Sequence, residues 1–94
     1  MLIEQLQFDE WNEAEFGRHG VTMREILQVF DGDPVFFPNK KKHRSPVLMV
    51  GPTWGGRMLT VPLAETEPSG VWRPATAWDS DADEILRYMS VRRS

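Results

Sequence analysis

The chain has 94 residues, a length that fits one domain, because two pieces of half that size would each bury too little surface to fold. It contains no cysteine, which excludes disulfides and cysteine-based zinc sites, and no apolar stretch approaches the roughly 20 residues that cross a bilayer. The N-terminus also lacks the apolar run of a signal peptide, so we expect a single cytoplasmic domain over residues 1–94.

Charge is unevenly distributed along the chain. The formal net charge is -3, yet residues 34–64 carry five basic residues and no acidic one, whereas residues 1–33 carry eight acidic and two basic residues. The acidic total disfavours binding to nucleic acid, whereas the basic middle third can focus an attractive potential for phosphates. Composition therefore leaves RNA binding open.

The N-terminal segment predicts a short extended stretch and then a helix. Residues 2–8 alternate weakly between apolar and polar side chains, which indicates a short strand or an extended arm. Asn12 can cap a helix that runs to about His19, and Gly20 provides the left-handed conformation that ends it.

A second helix is predicted over residues 22–30. Thr22 and Glu25 have the spacing of a capping box, in which each side chain binds the backbone N–H of the other residue. One apolar helical face follows at the spacing i, i+3, i+4 and i+7. Its members are Met23, Ile26, Leu27 and Phe30. Residues 31–34, which contain Gly32 and Pro34, end the helix.

The pattern then changes to that of strands. Short strands are predicted at residues 35–37 and 47–50, and an alternating strand at residues 57–64, in which Pro62 favours an edge position or a bulge. Residues 71–78 indicate a last strand. Strands joined by short turns pair antiparallel, so we expect a sheet of about four antiparallel strands.

The C-terminal segment predicts a third helix, which begins near Asp79 or Ser80 and covers residues 81–90. It repeats the apolar helical spacing at Ala82, Ile85, Leu86 and Met89. The predicted fold is therefore α+β, with two N-terminal helices, an antiparallel sheet, a C-terminal helix, and all helices packed on one face. The expected core contains Ile26, Leu27, Leu59, Val61, Ile85 and Leu86.

Four motifs lie in order along nearly the whole chain. They are Trp11-Asn12-Glu13; Arg18-His19-Gly20-Val21-Thr22 with Val29-Phe30-Asp31; Gly56-Arg57-Met58-Leu59; and the segment from Ala77 through Glu84 to Tyr88. Taken together, they resemble the motifs of BrnT-type ribonuclease toxins. The resemblance implies a RelE-like fold and metal-independent cleavage of RNA that halts growth. It also implies a cognate antitoxin protein as partner, and an RNA substrate that is either free or on the ribosome.

Five residues are candidates for the chemistry that the resemblance implies. Metal-free RNA cleavage needs a base for the ribose 2′-OH, cations for the charged transition state, and an acid for the leaving oxygen. His19 has the pKa range for an acid or base, and Arg18, Arg57 and Arg73 are candidate cations. Tyr88 shares a helix face with Glu84 and completes the candidate catalytic set. Each also has an ordinary structural interpretation, such as a histidine at a helix end or a tyrosine packed on the sheet.

A basic segment and two tryptophans are candidates for RNA binding. Residues 40–44 can hold phosphates without reading the RNA sequence, although a solvated loop of this composition needs no function. Trp54 and Trp78 can stack on bases, although such residues usually belong to a core or a protein interface. The basic residues are Lys40, Lys41, Lys42, His43 and Arg44. No spacing of histidines and carboxylates indicates a metal site, and no cofactor is expected.

One position departs from the family pattern. Where BrnT-type toxins follow the C-terminal alanine with arginine, this chain has Trp78 after Ala77. An arginine there can neutralise the scissile phosphate, and tryptophan cannot. The sequence therefore supports two hypotheses: a ribonuclease toxin, or a catalytically inactive relative that binds RNA or a protein.

Overall fold

The computed structural model describes residues 1–40 and 44–93. Within these ranges the elements follow one another as β1 (Gln5–Leu6), α1 (Glu10–Gly17), α2 (Met23–Asp31), β2 (Val35–Pro38), β3 (Val47–Pro52), β4 (Met58–Glu65), β5 (Val71–Pro74), β6 (Trp78–Asp79) and α3 (Ala82–Arg93). The fold is α+β, with two N-terminal helices and a C-terminal helix, as the sequence predicts. No helix in these ranges combines the length and the apolar character that crossing a membrane requires.

The strands form one sheet that is larger than predicted. Its order is β1-β5-β4-β3-β2, and β6 pairs with β4 beside that path. All pairs are antiparallel except β1 with β5, which is parallel. The described residues form six strands instead of the predicted four, because residues 75–77 divide the expected last strand into β5 and β6, and because β1 joins the sheet. The strand expected within residues 2–8 covers only Gln5 and Leu6.

Pro62 lies in the middle of the sheet, so the predicted edge position for its strand is wrong. β4 pairs with β3 on one side and with β5 and β6 on the other. The carbonyl of Pro62 accepts a 2.9 Å hydrogen bond from the backbone N–H of Ala75, in the gap between β5 and β6. The nitrogen and carbonyl of a strand residue point the same way, so the missing N–H of Pro62 faces this gap, where no ladder partner is lost.

One face of the sheet carries the hydrophobic core. Alternate residues of β4 are fully buried there, and Ile26 and Val29 of α2 and Phe16 of α1 join the same cluster. The buried residues of β4 are Leu59, Val61 and Leu63. The predicted core positions Ile26, Leu59 and Val61 are therefore confirmed, whereas Leu27 is only half-buried.

α3 packs on the opposite face, which corrects the expectation that all helices share one side. Phe37 pairs with Leu48 on the face away from the core, and the guanidinium of Arg87 lies 4.6 Å from the centroid of the Phe37 ring. No residue of α3 is buried. The expectation that Ile85 and Leu86 belong to the core is wrong, because Ile85 is half-buried and Leu86 is 62% exposed.

The helix starts are set by capping boxes. In α2 the predicted pair is confirmed, since Thr22 accepts from the N–H of Glu25 and the Glu25 side chain accepts in return. In α1 the cap is Asp9 rather than Asn12, and Asn12 is the third helical residue that completes the box. Asp81 starts α3 by accepting from the N–H of Glu84 at 2.8 Å, slightly later than predicted.

Candidate functional site

A groove of about 900 Å³ lies on the face of the sheet that carries α3. Its floor consists of side chains from strands and from the gap between β5 and β6, and its rim consists of charged side chains from α1, α3 and the segment after β2. We call it the acidic groove. Its floor includes Pro38, Leu48, Pro62, Ala75, Thr76 and Trp78, and its rim includes Glu15, Lys40, Asp81, Asp83, Glu84 and Arg87.

Trp78 lines this groove and is bound to the first turn of α3. Its indole N–H donates to Glu84 Oε1 at 3.2 Å, and the same carboxylate oxygen accepts from the backbone N–H of Asp81 at 2.9 Å. The neighbouring hydroxyls of Thr60 and Ser80 lie 2.8 Å apart and join β4 to the segment before α3. The indole ring is therefore held in place before any ligand arrives.

The rim of the groove is mainly acidic. Among the described residues that line it, four side chains are carboxylates and two, Lys40 and Arg87, are cations. Arg87 is engaged with the ring of Phe37. The Oγ1 atom of Thr76, which lies on the floor, is buried and has no hydrogen-bond partner among the described residues. The charge of these described lining residues favours a ligand that carries positive charge and apolar groups over a phosphate.

Arg57 lies outside the groove, between two carboxylates. Its Nε donates to Asp79 at 2.6 Å, and its Nη1 donates to both carboxylate oxygens of Glu25 at 3.0 and 3.1 Å. Nη1 also donates to the carbonyl of Gly20 at 2.9 Å, and Nη2 reaches the carbonyl of His19 at 3.5 Å. One guanidinium thus joins β4, β6, α2 and the turn between the first two helices.

The pKa values around Arg57 follow from these contacts. The hydrogen bonds that Arg57 donates to Asp79 and then to Glu25 raise the pKa of Arg57, and the guanidinium lowers the pKa of Asp79. Partial burial alone would raise the pKa of Glu25, but hydrogen bonds from the Thr22 backbone and from Arg57 outweigh it and lower the pKa. The three charged groups together carry a net negative charge, which does not favour a phosphate.

Arg73 is bound in a similar way to the start of α1. Its Nε and Nη2 donate to the two carboxylate oxygens of Asp9 at 2.8 and 3.1 Å. The Asp9 carboxylate also accepts from the backbone N–H of Asn12. The hydrogen bond from Arg73, followed by that from Asn12, lowers the pKa of Asp9 to about 2. The contact therefore joins β5 to the N-cap of α1, and the charge of Arg73 is already paired.

The other candidate catalytic residues are placed at separate points. Arg18 is 74% exposed and pairs with Glu15 at 3.1 Å, while His19 is exposed and forms no side-chain hydrogen bond to another described residue. The hydroxyl of Tyr88 donates to the carbonyl of Asp33 at 3.2 Å.

The candidate residues form one small group and two outliers. Arg57 reaches the backbone of His19, next to Arg18, at the C-terminal end of α1, whereas Arg73 contacts the N-terminal end of that helix. At roughly 1.5 Å per residue, these ends are about 12 Å apart. Tyr88 belongs to α3 on the other face of the sheet.

The candidate RNA-binding residues that the structure describes are only partly brought together. Lys40 and Arg44 are exposed, and Lys41, Lys42 and His43 lie outside the described residues. Trp54 is 75% exposed in the turn between β3 and β4, where its backbone N–H donates to Gln28 Oε1 at 3.0 Å. Of these residues, Lys40 and Trp78 line the acidic groove.

The carboxylates of both sites were not predicted from the sequence. Asp9 and Asp79 each meet an arginine that is distant in the sequence. Glu84 binds the nearby Trp78 and Asp81, and the spacing of Asp81 and Glu84 is itself a capping-box signal. No cluster of three or more histidines and carboxylates that could hold a metal ion occurs in the part of the chain that the structure describes.

The chain matches no protein-family model and no curated protein. Its function is therefore inferred from the groove, from the arginine contacts and from the motifs that the sequence carries.

Proposed function

We propose that this chain is a non-catalytic member of the RelE-like, BrnT-type group that its motifs resemble, and that it binds a basic segment of a partner protein in the acidic groove. The observation that carries the proposal is the composition of that groove. Four carboxylates border an apolar floor that includes Trp78, whose indole N–H is bound to Glu84. A segment in which arginine or lysine alternates with apolar residues fits both properties.

The state of the arginines supports a binding role rather than a catalytic one. Stabilising a charged transition state requires cations aimed at an open position that the reacting phosphate can occupy. Arg57 is instead surrounded by two carboxylates and two carbonyls, and Arg73 is bound by both oxygens of Asp9. Releasing either arginine toward a phosphate would leave carboxylates unpaired, so both are better explained as structural ties.

Trp78 supports the same interpretation. It occupies the position where the family has arginine, and its N–H is bound to Glu84. The indole ring therefore contributes an apolar surface to the groove, where a cation would otherwise face the substrate. A cationic side chain of a partner can contact this ring by a cation–π interaction.

The proposal is tested by measuring the binding of a short, fluorescently labelled peptide in which arginine and leucine alternate. We expect the double variant Glu15→Gln and Glu84→Gln to weaken binding about 2- to 30-fold, because each exposed ion pair contributes about 0.2–1 kcal/mol. Glutamine can still serve in the capping box at position 84, so the helix start is retained.

The matched control removes two carboxylates that lie outside the groove lining. The double variant Glu13→Gln and Glu67→Gln changes the net charge equally and should leave the affinity unchanged. Equal weakening by both double variants would mean that only the overall charge matters. Tighter binding to single-stranded RNA than to the peptide would contradict the proposal.

A ribonuclease of a toxin–antitoxin pair is the second candidate, and one observation favours it. The folded chain brings Arg57 to the backbone of His19, beside Arg18, so three candidate residues from two separate motifs lie together. Here His19 would serve as acid or base and the arginines would contact phosphate, with Tyr88 and Arg73 outside the group.

The second candidate predicts growth arrest on expression and RNA cleavage by the purified chain. His19→Gln should then abolish cleavage without changing the melting temperature, because the His19 side chain is exposed. Trp78→Arg should leave cleavage unchanged or raise it. If the wild-type chain neither cleaves RNA nor arrests growth, whereas Trp78→Arg creates cleavage, the natural chain is a binding relative.

The basic residues 40–44 provide a separate test of RNA binding. Four cations on single-stranded RNA give a slope of roughly -3 when the logarithm of affinity is plotted against that of salt concentration. Replacing Lys40, Lys41 and Lys42 by Gln should flatten this slope by about two units if the segment contacts RNA. An unchanged slope would leave the segment as a solvated loop.

A further inference from the structure

The outward face of α3 is apolar and uncovered. The side of this helix that faces the protein carries Tyr88 and Arg92, which both contact Asp33. On the opposite side, Ala82, Leu86 and Met89 follow one another at helical spacing. Leu86 is 62% exposed and Met89 is 44% exposed. A 12-residue helix is roughly 18 Å long, so this strip extends over most of the helix.

Opposite charges lie at the two ends of this apolar strip. Asp83 is one turn before Leu86 on the same side of the helix, and Arg93 is one turn after Met89. Both charged side chains are exposed. An acidic partner helix would be repelled by Asp83 and a basic one by Arg93. A helix that carries the same charges in the reverse direction matches both ends.

We propose that the outward face of α3 binds the same face of a second copy of this chain, with the two helices antiparallel and related by a two-fold axis. Residue 88 lies midway between Asp83 and Arg93, and Leu86 and Met89 lie on either side of it. One axis near this point therefore places each Asp83 opposite the Arg93 of the other copy and brings the apolar side chains together. Such a contact is self-complementary, as a two-fold interface requires.

The expected dimer is weak, and its Asp83 also lines the acidic groove. One short helix from each copy buries less area than the roughly 1,200 Å² in total that marks the lower end of stable complexes. Sedimentation velocity on the full chain should therefore show a weight-average mass that rises from monomer toward dimer as concentration increases. A wild-type chain that stays monomeric at the highest soluble concentration overturns the proposal.

Two sets of variants test the face and its direction. The double variant Leu86→Gln and Met89→Gln should raise the dimer dissociation constant at least about tenfold while the melting temperature of the monomer stays constant. Leu2→Gln and Trp54→Gln, which alter two exposed apolar residues elsewhere, should not change it.

Charge reversal then fixes the antiparallel arrangement. Asp83→Arg alone and Arg93→Asp alone should each weaken the dimer, because each places like charges opposite one another. Both changes in one chain should restore the wild-type dissociation constant to within about threefold, because every pair is again of opposite sign. A double reversal that remains as weak as the single variants would overturn the antiparallel pairing.

Discussion

Arg57 and Arg18 both pair with carboxylates, but only Arg57 joins segments that are far apart in the sequence. Its partners lie in α2, in β6 and in the turn before α2, and its side chain is 30% exposed. Arg18 pairs within one helical turn and is 74% exposed. Solvent screens the second pair much more than the first, so the two arginines should differ in their contribution to stability.

We expect Arg57→Ala to lower the free energy of unfolding by about 1–2 kcal/mol, because hydrogen bonds to charged groups are lost and two carboxylates remain unpaired. Arg18→Ala should lower it by less than about 0.5 kcal/mol. Urea denaturation of both variants measures the difference. Equal losses of stability in the two variants would mean that the contacts of Arg57 do not stabilise the fold, and would favour a functional role for this residue.

Asp9 predicts a loss of stability in acid. Its folded pKa is lowered to about 2 from the ordinary value of 3.8, so it binds protons more weakly in the folded state than in the unfolded state. Its contribution is therefore complete above the unfolded pKa and is lost as pH falls from about 4 through 2. The melting temperatures of wild type and Asp9→Asn should differ at neutral pH and converge below pH ~2. A difference that stays constant with pH would contradict the assigned pair with Arg73.

At the residue level, the sequence singles out Arg57 but does not indicate what it contacts. Arg57 stands out because it follows two glycines at the start of a strand. Its partners Glu25 and Asp79 are 32 and 22 residues away, and no local spacing signals a contact of that range. Glu25 was predicted only as half of a capping box, a role that it fills together with the ion pair.

Helices α2 and α3 show that an apolar pattern predicts a helix face but not its burial. Both carry apolar side chains at i, i+3, i+4 and i+7, but α2 buries Ile26 completely, whereas α3 buries no residue. The spacing predicts that a helix has an apolar face. It does not predict whether the rest of the chain provides a surface to cover that face, and here the sheet covers only one of the two.

Substitutions at a buried residue and at an exposed residue of α3 should differ in their cost to stability. Leu59→Ala, in the middle of the sheet, should cost about 2–5 kcal/mol, because it leaves a cavity among fully buried neighbours. Leu86→Ala should cost less than about 0.5 kcal/mol. Thermal denaturation at low protein concentration, where α3 remains uncovered by a second copy, measures both. A large cost at Leu86 would mean that α3 packs more tightly than the structure shows.

The sequence predicts the positions of the strands better than their number and their pairing. β2, β3 and β4 begin and end close to the expected residues, because β-branched and aromatic runs bounded by Gly and Pro mark them. The break between β5 and β6 follows Pro74, the last residue of β5, whose ring nitrogen cannot donate a ladder hydrogen bond. It accommodates the missing N–H of Pro62 on the neighbouring strand, which is a tertiary effect.

For the whole molecule, the distribution of charge in space differs from that along the chain. The basic middle third predicts a phosphate-binding surface, but Arg57, one of its three described cations, is enclosed by carboxylates from both ends of the sequence, whereas Lys40 and Arg44 are exposed. Folding also gathers Glu15 with three carboxylates at the start of α3 around one groove. A linear count of charge cannot reveal either arrangement, because both depend on contacts between distant segments.

The nitrogen–proton NMR spectrum of the side chains tests the central claim most directly, because each tryptophan indole and the Nε of Arg57 report on different surfaces. On titration with the arginine–leucine peptide, the indole signal of Trp78 should shift, whereas those of Trp54 and of Trp72, which is buried and donates to the Leu2 carbonyl, should not. Single-stranded RNA should leave Trp78 and Arg57 unchanged. A shift of Arg57 Nε with RNA, and no shift of Trp78 with the peptide, would contradict a protein-binding groove.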